Sequence, residues 1–141
     1  MQEINKFTLH NTQIYNIEHN QISELCLSYR VENSHYLLKL MAKNTSVKKL
    51  VIDGINADEI EYVLKEVVNM LENNTTLIKL DLRGNNIGNF GVKIITQGLR
   101  NNTTLKNLVL RRNLISEIPK EMCQLLNLQK LDLSSNQISE I

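Results

Sequence analysis

The sequence predicts an α/β fold: a curved solenoid with a parallel sheet on its concave face and helices or turns on its convex face. About six repeats make up a single domain, residues 1–141. Three observations predict it. The pattern L-x-x-L-x-L-x-x-N occurs in full three times, as Leu77–Asn85, Leu105–Asn113 and Leu128–Asn136. Degenerate copies extend it backward through Val47–Ile52, Ile22–Leu27 and, weakest, Ile4–Leu9, so the starts at 4, 22, 47, 77, 105 and 128 lie 18, 25, 30, 28 and 23 residues apart. Such a period belongs to stacked repeats, each burying its flanks on its neighbours. Composition agrees: Leu and Asn dominate the uncharged residues while aromatics are 4% and Trp is absent, as expected of a core built almost wholly from aliphatic side chains.

Each copy justifies its element. The L-x-L core alternates with period two, which makes a short strand whose leucines point inward. Residues 1–21 read as an irregular N-terminal cap or degenerate repeat, with a first period too short for a helix on the outer side; residues 22–141 carry the repeats. In the 30-residue copy, Asp58 and Glu61 suit an N-cap and capping box, and Ile60, Val63, Leu64, Val67, Met70 and Leu71 fall on one helical face. A second helix is expected from about Phe90 to Leu99, with Gly88 and Gly91 easing the tight turn into it. Pro119 begins the 23-residue copy, which predicts a single helical turn there. Asn85, Asn113 and Asn136 close the three full copies; an amide that both donates and accepts can bond its own loop and the next, so a structural Asn ladder is expected.

These residues resemble the leucine-rich repeat family over nearly the whole chain. Asn86–Gly91 followed by Gly98–Leu105 is similar to ribonuclease-inhibitor-like and NOD-receptor-like repeats. Ile115–Leu128 is similar to the shorter repeats of plant-type and Ras-binding scaffold proteins. A short, Asn-rich mixed array also resembles leucine-rich repeat effectors that intracellular bacterial pathogens deliver into host cells. The resemblance implies a protein-binding role, and for an effector a host protein as partner and the host cytoplasm as its place of action.

Composition narrows the rest. Hydrophobic residues at 42%, charged residues at 22%, Pro 1 and Gly 5 are globular values and exclude disordered or collagenous chains. Met1–Phe7 shows no basic segment ahead of an apolar run, and no apolar stretch approaches membrane-spanning length, so a cytoplasmic protein without membrane association is expected. Cys26 and Cys123 read as reduced core or strand residues, and the Asn44, Asn74 and Asn102 sequons as chance products of Asn richness. No cofactor or metal motif is present. His10, Ser28 and Asp53 share a column of adjacent strands, but Ser28 separates the other two, the wrong order for a catalytic triad.

Helices can cover only the convex side, which leaves the concave sheet open as a binding platform. Its outward residues carry nine cations (Lys6, Lys48, Lys49, Lys79, Arg83, Lys106, Arg111, Arg112, Lys130) and four anions (Glu24, Asp53, Asp81, Asp132), or +5 in a chain whose net charge is +1. The expected function is therefore non-enzymatic protein binding through this face, to a partner with an acidic surface. The alternative is a recognition fragment of a larger scaffold or receptor. Tyr29, the one aromatic assigned to the face, is its only stacking platform, so nucleic acid is disfavoured. The leucines of the last repeat face no following copy, so self-association through that end is also expected.

Overall fold

The structure, a computed structural model, describes residues 14–30 and 34–139. Strand β1 (Glu24–Ser28), helix α1 (Ser34–Met41), β2 (Lys49–Asp53), α2 (Ile60–Asn73), β3 (Lys79–Asp81), α3 (Gly88–Leu99), β4 (Asn107–Val109), a 3-10 turn (Lys120–Gln124) and β5 (Lys130–Asp132) follow one another. The strands form one parallel sheet in sequence order, β1-β2-β3-β4-β5. The weakest copy, Ile4–Leu9, and its Lys6 and His10 lie outside the described residues.

Register follows the repeat. Leu25, Leu50, Leu80, Leu108 and Leu131 align across the strands, and the first four are at most 4% exposed. They meet Val63, Leu64, Val67, Met70 and Leu71 of α2 and Val92, Ile95 and Leu99 of α3 in one core. Burying such a side chain stabilises by about 1.5–3 kcal/mol, so the stacked leucines set the register.

Several local expectations need correction. The 25-residue copy also carries a helix, α1, because two turns suffice to bring Leu37, Leu38 and Met41 onto the core. Residues 14–18 are helical rather than irregular, with Ile17 buried on the same core. Helix α2 is capped by Glu59, not Asp58, and without a side-chain bond. A turn closed by Glu59 N donating to Asn56 O leaves Asp58 exposed one residue early, so the capping box with Glu61 does not form. Gly88 serves the turn into α3 through a left-handed φ of +64°. Gly91 serves packing instead: a Cβ there would stand 2.4 Å from Ile87 Cγ2 and 2.8 Å from Leu64 Cδ1. Gly98 likewise admits the backbone of Val68, so α2 and α3 lie close together.

Candidate partner-binding face

Two columns of asparagine hold the loops that frame the open sheet. In the first, Asn85 Nδ2 donates to Ile52 O (2.8 Å), Asn113 Nδ2 to Leu82 O (2.9 Å) and Asn136 Nδ2 to Leu110 O (2.9 Å), each reaching back one repeat. Asn113 Oδ1 accepts from Asn85 N, and Asn136 Oδ1 from Asn113 N and Ile115 N. The second column was missed in the sequence. Asn44, Asn74 and Asn102, far from being by-products of composition, are buried, and their Nδ2 groups donate to Ile17 O (2.9 Å), Met41 O (2.7 Å) and Leu71 O (2.9 Å). Each Oδ1 accepts from the backbone N–H groups two and three residues on, as Asn74 does from Thr76 and Leu77. Met41 and Leu71 stand in the last turns of α1 and α2, so these amides satisfy carbonyls that a helix end leaves unpaired. The repeated Asn-Thr-Thr-Leu and Asn-Thr-Ser-Val were the available signal.

Between these columns the outward side chains fall into three rows. At the start of the strands stand Glu24, Lys49, Lys79, Asn107 and Lys130. In the middle stand Cys26, Val51, Asp81, Val109 and Asp132. The last residue of β2, Asp53, and, beyond the ends of the shorter strands, Arg83, Arg111 and Ser134 continue the alternation, the ladder being extended by Leu82 N to Val109 O, Gly84 N to Arg111 O and Arg112 N to Ser134 O. At about 3.3 Å per residue the outer rows are roughly 13 Å apart, and neighbours within a row about 4.8 Å. Lys48 and Lys106 sit one residue ahead of the first row, where Lys106 Nζ donates to Thr103 O. Arg112 follows the third.

The cations are not equivalent. Arg83 Nη2 pairs with Asp81 Oδ2 at 2.6 Å, and Arg83 N also donates to Asp81 Oδ1. Asp81 is 1% exposed; burial raises its pKa, but the hydrogen bonds and charge of Arg83 outweigh that and leave it below the usual carboxylate range. Arg83 is thereby committed to structure. Asp132 is also held low, by Ser134 Oγ and N donating to it. Lys49 and Lys79 are direct neighbours in register, and neither they nor Arg111 and Arg112 form an ion pair among the described residues. Arg111 Nε is buried with no hydrogen-bond partner there, as is Asp53 Oδ1.

Tyr29 is not on this face. It is 9% exposed, its ring edge-on to His35 of α1 at 4.9 Å, and burial followed by the Glu66 charge pushes its phenol above the ordinary range. Leu25 and Leu27 point inward and the ladder still reaches Tyr29, whose N–H donates to Asp53 O, so strand alternation itself carries the ring into the core. Cys26 does lie on the open face, exposed rather than in the core, and burial together with Asp53 and Asp81 raises its thiol pKa. Cys123 is exposed in the 3-10 turn and is neither core nor strand. Ser28 and Asp53 are register partners. Behind the sheet, Glu66 of α2 lies 3.8 Å from His35 Nδ1 and 3.9 Å from Lys39 Nζ, joining α1 to α2 on the convex side.

A parallel sheet whose loops are tied by recurrent asparagines and whose far side carries helices or a 3-10 turn defines a leucine-rich repeat solenoid. Residues 103–141 match a leucine rich repeat family, and residues 73–94 match a second family of the same description. No curated protein matches the chain. Among solved structures, the chain is similar in fold to the leiomodin-1 actin-binding site 2, at 22% identity and a TM-score of 0.69 over 89% of this chain and 79% of that one. Among the described residues no helix is long and apolar enough to cross a membrane.

Proposed function

We propose that this chain is a non-enzymatic protein-binding module whose concave face takes an acidic partner. Leucine-rich repeat domains generally mediate protein–protein interaction; the partner's chemistry is the further step. The observation that carries it is the Lys49–Lys79 register pair, with Arg111 and Arg112 across the sheet. Like charges side by side on a sheet repel and cost stability, and an anion bridging them removes that cost. Because Asp81 and Asp132 lie between the two cation rows, the partner presents acidic groups at two places about 13 Å apart, over a neutral or basic middle. The resemblance of the mixed array to delivered bacterial effectors makes a host protein the partner and the host cytoplasm the place. A second reading, a recognition segment of a larger scaffold, draws support from the leiomodin-1 neighbour, itself named as one actin-binding site of a protein; actin is therefore the first purified partner to try.

The test is a triple reversal, Lys49→Glu, Lys79→Glu and Arg112→Glu, which leaves the Arg83–Asp81 pair intact. Proteins captured by the native chain and identified by mass spectrometry are expected to be lost from the variant, and binding of the purified partner to weaken as salt is raised. A folded variant that retains the same partner with the same affinity refutes the proposal.

A further inference from the structure

The convex side carries a second repeated pattern, which binding on the concave sheet does not use. Three of the six aromatic residues of the chain (Tyr 4, Phe 2) are followed three positions later by a lysine: Tyr36 by Lys39, Tyr62 by Lys65 and Phe90 by Lys93. In each case the aromatic is the third residue of its helix, α1, α2 or α3, and the lysine is the sixth. The two residues between them are buried in all three helices, while both ends of the motif are exposed, the rings at 47, 54 and 62%. None of the three rings belongs to the core. Residues three apart are neighbours on a helix surface, so successive helices set an aromatic row beside a lysine row. The helices are adjacent: Glu66 of α2 approaches His35 and Lys39 of α1, and Gly98 of α3 meets Val68 of α2. Between α1 and α2 the rows border a groove of about 300 Å³, with Leu38, Ala42 and Met70 on its floor and Lys39, Tyr62 and Lys65 at its rim.

We infer that this face docks an amphipathic helix of another protein, one that presents an apolar side chain every second turn and carboxylates along one flank. Spacing selects a helix. Packed helices lie about 8–10 Å apart, so each row repeats close to the ~10.5 Å that separates residues seven apart in an α-helix, rather than the ~6.6 Å at which an extended strand repeats a face. Charge selects the flank. Lys93 has no ion pair among the described residues. Lys39 approaches Glu66 only to 3.9 Å, and the Lys65–Glu61 pair at 3.0 Å is exposed on both sides. Such surface pairs are worth at most about 1 kcal/mol and yield to a carboxylate held in place by a partner. On the other side of Tyr62, Asp58, Glu59 and Glu61 stand exposed at the entry to α2. They make an anionic lipid surface the poorer match and fix which flank of the docked helix is acidic, the one over the lysines. The exposed rings supply the apolar contact, as aromatic side chains do at the energetic centres of protein interfaces. Lys49, Lys79, Arg111 and Arg112 lie on the opposite side of the solenoid, so the two binding faces are separate properties.

The probe is a synthetic helical peptide of about three heptads, with leucine at every seventh position and glutamate along one flank, beside a copy with lysine on that flank. Fluorescence anisotropy with the 141-residue chain is expected to show the acidic peptide binding about tenfold or more tighter than the lysine copy. Tyr62→Ala, which removes one exposed ring and a wall of the groove, should weaken the acidic peptide about tenfold. Lys39→Glu, Lys65→Glu and Lys93→Glu together should reverse the preference, which a folding defect could not do. The concave variant, Lys49→Glu, Lys79→Glu and Arg112→Glu, should bind the acidic peptide as the native chain does, so the two binding faces fail or stand separately. A native chain that binds neither peptide, or both equally, overturns the proposal. Loss of the acidic peptide from the concave variant overturns it too and moves the peptide to the open sheet. A chain that ignores the peptides but sediments with phosphatidylserine vesicles overturns it in favour of a membrane surface.

Discussion

Replacing Asn74 by Ala measures what the second asparagine column contributes. Asn74 Nδ2 donates to Met41 O at 2.7 Å, and Oδ1 accepts from Thr76 N at 2.9 Å and Leu77 N at 2.8 Å. The residue is 3% exposed, so bulk water cannot take the place of its amide without opening the turn. Leu77 N–H and Met41 C=O lose these partners in a buried setting, at about 1–3 kcal/mol for each unsatisfied group; Thr76, half-buried, loses less. The sum is ~3 kcal/mol, and with a urea m-value near 1.5–2 kcal/mol/M the unfolding midpoint should fall by roughly 1.5–2 M. Asn101→Ala, in the exposed residue beside Asn102 of the same column, should move it by less than about 0.3 M. Circular dichroism in a urea series decides the matter. A fall for Asn74→Ala no greater than for Asn101→Ala would refute the idea that these amides, rather than leucine packing alone, hold the loops.

Gly98→Ala adds a methyl 2.9 Å from Val68 Cγ2 and 3.0 Å from Val68 Cα; overpacking of about 1–3 kcal/mol outweighs a helix-propensity gain near 1 kcal/mol, so the melting temperature should drop, and Val68→Ala in the same chain should recover part of the loss. Arg112 holds φ of +56° at the position where Gly54 and Gly84 have +70°. Arg112→Gly should raise stability by roughly 0.5–1 kcal/mol in thermal unfolding, since the left-handed region disfavours a side chain, while weakening the acidic partner in titration calorimetry; a variant that gains nothing in stability shows that the turn tolerates the arginine without strain.

The parts of the fold legible in the sequence are those that recur. L-x-x-L-x-L fixed strand positions and register because each leucine meets its counterpart at one strand spacing, and a one-residue slip would turn every leucine toward water. What recurs in composition but serves by geometry was harder to read. Asn44, Asn74 and Asn102 stand ahead of β2, β3 and β4, outside the strand pattern, and reach back to Ile17, Met41 and Leu71 of the preceding repeats. Features present once were misread for local reasons: Tyr29 was grouped with the outward residues although the period of two from Leu25 and Leu27 turns it inward, and Asp58 misses the cap by one residue because the turn from Asn56 closes on Glu59.

The concave face turns on the same distinction between counting and placement. Summed over the open positions, Arg83 is one cation among many; in the structure it is the counter-ion that lets Asp81 be buried on that face, and reversing it would leave a buried carboxylate unpaired rather than test binding. Lys49 and Lys79 gain weight from the opposite cause. Lys79 has Lys49 and the neutral Asn107 as its register neighbours, and Lys49 has Glu24 on its other side, so a repulsion that Glu24 offsets only from one end is already present in the free protein and is relieved further when a negative group arrives. A cation satisfied within the fold has little left to offer a partner, whereas an unsatisfied pair favours the bound state by the repulsion it sheds. Charge on this solenoid therefore selects a partner through rows and neighbours, which the net charge of +1 does not reveal.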